Sequence, residues 1–391
     1  MMMSVSEIRA AVALGHDMNA VLPSIDTAAR LLAVQSSAFA GGGAPDALLI
    51  TDLVNVRYLT GFTGSSGRLL VSPSAAVFVS DGRYAEQAAD ELATSNCSAH
   101  IEIRRTVEDQ KALLSELMMS LGVTRLGLEA THVSWAAAED YRSLLGEIDR
   151  SELVATKDVV ESLRRTKDAA ELARLARASA IADAALLRVI SLLAERPTEM
   201  AFARALESAM VDLGSHGPSF DTIIASGSNA SRPHHDPSDR VIESGDEVIC
   251  DFGATIDGYH SDMTRTVYVG EPAMKQKRHF GVVRAAQSAG VSAVRPGATG
   301  VDIDRACRDV IVDAGWGDFF VHGTGHGSGL LIHETPWAGQ TSTSVLQTGD
   351  ILTVEPGVYL PGEGGVRIED SLVVCEDGPV FLTRAPYDLI V

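Results

Sequence analysis

One pattern, written twice, most restricts how this chain can fold. Gly245-Asp-Glu-Val-Ile-Cys-Asp-Phe-Gly253 is matched by Gly349-Asp-Ile-Leu-Thr-Val-Glu-Pro-Gly357. Both copies open with Gly-Asp, run through residues suited to a strand, and place a carboxylate, Asp251 or Glu355, two residues before a glycine. A second carboxylate follows each copy after a turn: Asp262 in Gly258-Tyr-His-Ser-Asp262, and Glu369 in Gly365-Val-Arg-Ile-Glu369. Between the copies lies His322-Gly-Thr-Gly-His326-Gly-Ser-Gly-Leu-Leu-Ile-His333-Glu. The wider order is duplicated too. Helical patterns over 168–194 and 199–213 precede strands over 221–269, and helical patterns over 274–294 and 301–314 precede the second copy. Two related halves whose acidic residues meet at a shared centre are therefore expected.

The first copy can be taken down to geometry. Asp257-Gly258 is a hairpin signal, because a tight two-residue turn needs positive φ at both central positions. That turn places Asp251 opposite Thr264, and alternation puts Asp262 on the same face as both. The two aspartates become diagonal neighbours roughly 7–8 Å apart at the backbone. The second copy has a longer, glycine-rich connection over 361–365, and by internal analogy the same diagonal arrangement is expected there. Four carboxylates on one buried face repel, since two like charges about 4 Å apart cost about 4 kcal/mol at an effective dielectric near 20. Two divalent cations remove that cost. Oxygen-rich ligation with one imidazole suits Mn or Co, with Zn and Fe as alternatives. The absence of thiolates from the set and of a His-Glu-x-x-His helix weighs against a mononuclear zinc protease.

A length of 391 residues allows two domains with a core each. The net charge of −20 argues against nucleic-acid or anionic-membrane partners, which reward Lys and Arg. Cys97, Cys250, Cys307 and Cys375 form no C-x-x-C pair, and neither a membrane-length apolar run nor a signal peptide is apparent, so a cytoplasmic setting is expected. Residues 1–25 read as an extension of uncertain order. Residues 26–160 read as an alternating α/β domain, including a strand and then a glycine-rich loop over 55–67, a hairpin over 68–80 and helices over 113–121 and 134–145. Residues 161–391 form the second domain.

These residues resemble the pita-bread metallopeptidases over nearly the whole chain beyond residue 25, through Asp251, Asp262, His326, Glu355 and Glu369 in that order. The resemblance implies an α+β protein: a pita-bread (creatinase/aminopeptidase-like) C-terminal fold with a pseudo-twofold repeat, and a creatinase-like N-terminal α/β domain. It implies Asp251 on one metal, His326 with Glu355 on the other, and Asp262 and Glu369 bridging both. Pro233-His234 and Gly364-Gly-Val-Arg-Ile-Glu369 look like the branch that cleaves Xaa-Pro bonds rather than like methionine aminopeptidases. Creatinase shares the fold but not the carboxylate set. Tyr58-Leu-Thr-Gly-Phe-Thr-Gly-Ser-Ser-Gly67 and Asp81-Gly-Arg-Tyr84 look more like small bacterial aminopeptidase P than like prolidase. The expected activity is removal of an N-terminal residue that precedes proline, by attack of a metal-bridging hydroxide. The alternative is Xaa-Pro dipeptide hydrolysis, and a lesser one is a binding protein without catalysis. The resemblance casts Glu355 as proton shuttle, and His234 (in preference to His235) and His333 as hydrogen-bonding groups for substrate and oxyanion. It places His322 and Arg367 at the proline pocket or a substrate carboxylate, and it implies a homodimer.

Overall fold

The computed structural model describes residues 3–146 and 151–391; residues 1, 2 and 147–150, which fall inside the expected 1–25 and 26–160 segments, lie outside it. The chain forms two compact units. One is Ser24–Arg164, and the other joins the residues up to Pro23 with Arg165–Val391.

In the Ser24–Arg164 unit, a six-stranded sheet has the spatial order His100–Ile103, Ala76–Ser80, Arg68–Val71, Ala47–Ile50, Arg125–Glu129, Glu152–Thr156. Leu49, Leu70, Val79 and Leu126 from its strands pack with Leu113, Leu114 and Met118 from the helix Val107–Ser120. The strand expected near Asn55 is instead the helix Leu53–Thr60. Its ends explain it. The Asp52 carboxylate accepts from the Val54 N–H at the start, and Gly61 closes the helix at φ 78°. Val56 and Leu59 sit three apart and are both fully buried, which is a helical spacing that the β-branched residues obscured.

The other unit repeats one layout. In its first half the helices Ala169–Val189 and Glu199–Asp212 cover a sheet ordered Leu389–Ile390, Met263–Tyr268, Glu247–Phe252, Ile223–Ser226. Leu186, Phe202 and Leu206 meet Val248, Cys250, Phe252 and Val267 in its core. In the second half the helices Met274–Ala293 and Gly300–Asp313 bury Val283, Ala286, Ile303 and Cys307 against Leu352, Val354 and Leu372. Each half thus has its own core. The two are sewn together where Thr266 Oγ1 donates to the Arg367 carbonyl, and where the Glu369 N–H donates to the Thr264 carbonyl.

The N-terminal segment is not a loose extension. Ser4 caps the helix Val5–His16 through a capping box, and Ile8, Ala11, Val12 and Gly15 turn inward against Ala169–Val189. The approach is close enough that a Cβ at Gly15 would lie 2.4 Å from the Ala173 carbonyl oxygen. Arg177 donates to the carbonyls of Gly15, Asp17 and Ala20, so the turn after the helix is fastened as well.

Candidate active site

The first hairpin forms as its sequence dictates. Asp257 and Gly258 adopt φ 47° and 73°, Ile256 pairs with Tyr259, and in the same register Asp251 lies opposite Thr264. A Cβ at Gly253 would come within 1.9 Å of the Ser261 carbonyl oxygen, so only glycine lets the segment holding Asp262 come so near. The second copy departs from the expected diagonal. Its ladders, Val354↔Asp370 and Gly357↔Arg367, share one register, which sets Glu355 level with Glu369 rather than two residues away. The longer connection over 361–365 adds residues to the turn and moves the pairing.

The central carboxylates converge all the same. Ligand atoms of Asp262, His326 and Glu369 lie within 4.8 Å of one another. His326 Nε2 is 3.5 Å from oxygens of both Asp262 and Glu355. His326 Nδ1 donates to the Gly327 carbonyl at 3.0 Å, which fixes the tautomer and leaves the Nε2 lone pair facing the carboxylates. Burial holds this imidazole neutral by pushing its pKa down to about 4. Burial, reinforced by repulsion from neighbouring carboxylates, pushes Asp262 and Glu369 well above the usual carboxylate range; Glu355 rises to about 8, again by burial first. Asp251 Oδ1 and Glu369 Oε1 are buried without any hydrogen-bond partner. Unpaired buried carboxylate oxygens beside a neutral imidazole are costly unless cations complete the site. The residues present therefore fit divalent metal: Asp262, His326 and Glu369 are within reach of one ion, and Asp251 and Glu355 line the same cavity.

A second layer of side chains orients these donors. Thr264 Oγ1 donates to Glu369 at 2.8 Å and accepts from Arg367 Nε at 3.1 Å. Thr353 Oγ1 accepts from the His326 N–H and donates to Glu355. Arg367 is 3 % exposed and donates to Asp251 at 2.6 Å, to the Tyr359 hydroxyl at 2.8 Å and to the Pro233 carbonyl at 3.2 Å. His322 has both ring nitrogens occupied, Nδ1 by the Gly323 carbonyl and Nε2 by the Tyr359 hydroxyl. Arg367 and His322 thus also hold Asp251 and Tyr359 in position.

The loop before the first copy separates its two histidines. His235 Nε2 bonds to Glu199 at 2.8 Å, inside a group that also binds Glu199 through Ser226, Asn229 and Ser238. His234 instead lines a cavity of about 940 Å³ together with Asp251, Asp262, His326, Glu355, Glu369, His322, His333 and Arg367. Sequence reasoning missed Tyr359, Thr353, Glu199 and Trp337. Alternation from Glu355 through Gly357 to Tyr359 was a usable signal for the tyrosine, whereas nothing local marks Glu199.

Residues 173–376 match metallopeptidase family M24, and residues 41–166 match the creatinase/prolidase N-terminal domain. An Xaa-Pro dipeptidase of Pyrococcus horikoshii is 35% identical over 348 residues, 88% of this chain and 94% of its own. Among solved structures, an Xaa-Pro dipeptidase from Bacillus anthracis superposes with a TM-score of 0.86 at 38% identity, covering 93% of this chain and 99% of that one. An X-Pro aminopeptidase from Thermotoga maritima gives 0.82 at 33% identity, over 89% and 98%.

Proposed function

The chain belongs to metallopeptidase family M24, and from that premise we propose that it is a divalent-metal peptidase that cleaves the bond before proline, with Xaa-Pro dipeptides as its main substrates. The observation that carries the reading is the gathering of Asp251, Asp262, His326, Glu355 and Glu369 in one cavity, with two of their buried oxygens unpartnered. The two relatives described as Xaa-Pro dipeptidases, at 35% and 38% identity, favour dipeptides over the N-terminal trimming expected from the loop over 58–67. The Thermotoga maritima aminopeptidase, at 33% identity, supports trimming of longer peptides as the second reading.

When bound, two cations (Mn first, with Co, Zn and Fe as alternatives) supply polarisation of the scissile carbonyl and a water acidic enough to attack near neutral pH. The chain's own residues do the rest. Glu355 receives the proton of the attacking water and passes it to the proline nitrogen. His234 and His333 hydrogen-bond the substrate and the oxygen that gains charge in the tetrahedral state. Arg367 holds Asp251 in place at 2.6 Å, and His322 holds Tyr359 at 2.8 Å. A cytoplasmic setting and a homodimer belong to the same reading.

The test supplies Mn, Co, Zn or Fe to chelator-treated protein and compares an Xaa-Pro dipeptide with an Xaa-Pro-Yaa tripeptide. Faster turnover of the dipeptide is expected. Cleavage of the tripeptide alone would replace the dipeptidase reading with the aminopeptidase one, and no cleavage of either with any metal would sink both.

A further inference from the structure

His326 sits on the short strand Gly325–Gly327, and its cross-strand partner on Glu334–Ala338 is Trp337. Side chains directly opposite in an antiparallel pair share a face, so the indole projects to the side that carries the His326 imidazole. The ring centroids are 6.1 Å apart. Trp337 also stacks on His333, at 6.3 Å with 25° between the planes. The indole is nonetheless 48% exposed while lining the cavity. A half-exposed tryptophan beside two cavity histidines leaves a large apolar surface wet, and a ligand that covers it gains the corresponding transfer free energy.

The surroundings say what kind of group that is. Phe220, Ile223 and Ile332 also line the cavity, so the wall contains four large apolar side chains. Asp221 stands among them and opposes a negatively charged substrate side chain there. The Trp337 backbone is held independently of its ring: its N–H donates to Ser344 Oγ, and its carbonyl accepts from Ser342 Oγ. The indole is therefore free to serve the cavity. A proline ring has one size and suits an enclosed pocket. A wall half open to solvent suits a side chain whose size varies.

We propose that Trp337 is a specificity-determining residue that packs against the side chain preceding proline, giving the enzyme a preference for Xaa-Pro peptides with a large uncharged apolar first residue. This rests on the Xaa-Pro peptidase reading above and adds the substrate class to it.

The experiment uses the full-length, metal-loaded protein and its Trp337→Ala and Trp337→Phe variants, with Gly-Pro, Leu-Pro, Phe-Pro and Glu-Pro as substrates. Titration calorimetry of the same dipeptides into metal-free protein provides a readout without turnover. Wild-type protein should favour Leu-Pro and Phe-Pro over Gly-Pro and Glu-Pro. Trp337→Ala should shrink the Leu-Pro to Gly-Pro ratio of kcat/KM by about tenfold, chiefly through KM, while Trp337→Phe keeps most of it. Equal loss across all dipeptides in both variants, or an unchanged ratio in Trp337→Ala, would overturn the proposal. Should the alanine variant not fold, Trp337→Phe decides: a partial loss of the Leu-Pro preference supports the proposal, and an unchanged ratio overturns it. If no Xaa-Pro peptide is cleaved yet binding still favours Leu-Pro in a Trp337-dependent way, the peptidase reading fails and the wall stands.

Discussion

Glu199 is fully buried, and its carboxylate accepts from Ser226, Asn229, His235 and Ser238. Burial alone would raise its pKa, but hydrogen bonds from Ser238, Ser226 and His235 outweigh it and bring the group down to about 2. These partners span the loop that presents His234, so Glu199→Ala should cost about 3–5 kcal/mol of stability in urea unfolding. It should also lower kcat while leaving bound metal, measured by elemental analysis, unchanged. Glu247 runs the other way. Burial raises it to about 7, against hydrogen bonds from Gln276 and the Gly365 N–H. A folded-state pKa above the unfolded value of 4.5 means that the folded protein holds the proton more tightly. The stability this contributes is complete below about pH 4.5 and is lost as pH rises through about 7. Glu247→Gln should therefore flatten the stability profile between those limits and raise stability at pH 8, by up to about 3 kcal/mol in chemical denaturation. Among single residues, the four carboxylates that line the cavity were legible because their pattern is duplicated along the chain, and His326 because it lies between the copies. Glu199 was not, because its partners lie elsewhere in the sequence, with Ser226 27 residues away; Tyr359 was within reach of alternation from Glu355, although its partner His322 is 37 residues off.

At the level of elements, legibility followed how local the determinant is. Asp257-Gly258 sets its own turn, so the Asp251↔Thr264 register could be worked out from residue types alone. The second hairpin's longer connection carries no such rule, and its carboxylates fall level with each other. The helix Leu53–Thr60 is hidden by its β-branched residues, which suit a strand, although Asp52 and Gly61 cap its two ends. For the N-terminal helix the deciding fact is a tertiary one, the groove on Ala169–Val189 that admits Gly15. Gly15→Val should cost about 1–3 kcal/mol, because the new side chain meets the Ala173 carbonyl and the Ala176 Cβ. Denaturant midpoints would show it, and a stability equal to the parent protein would mean that the helix is not firmly docked.

For the whole molecule, the duplicated halves concentrate negative charge where their two cores adjoin, and this ties folding to metal. Chelation should lower the melting temperature and Mn should restore it in a concentration-dependent way, as binding to the folded state alone requires. A melting temperature indifferent to both would argue that Asp262, His326 and Glu369 do not hold a cation. The molecule is also discontinuous along its chain. Ser24–Arg164, a stretch of 141 residues counting both ends, separates the N-terminal helix from the rest of its unit, and Arg174 grips the Pro23 carbonyl at 2.8 Å. On a ribosome that adds 5–20 residues per second, the helix Val5–His16 is made on the order of 10 s or more before the helix it docks on. Its apolar stripe must wait undocked for that time while the intervening unit is translated. This helix is thus synthesised well before the surface that shelters it, and a nascent chain halted near residue 164 would still display it to whatever cellular machinery patrols unfinished proteins.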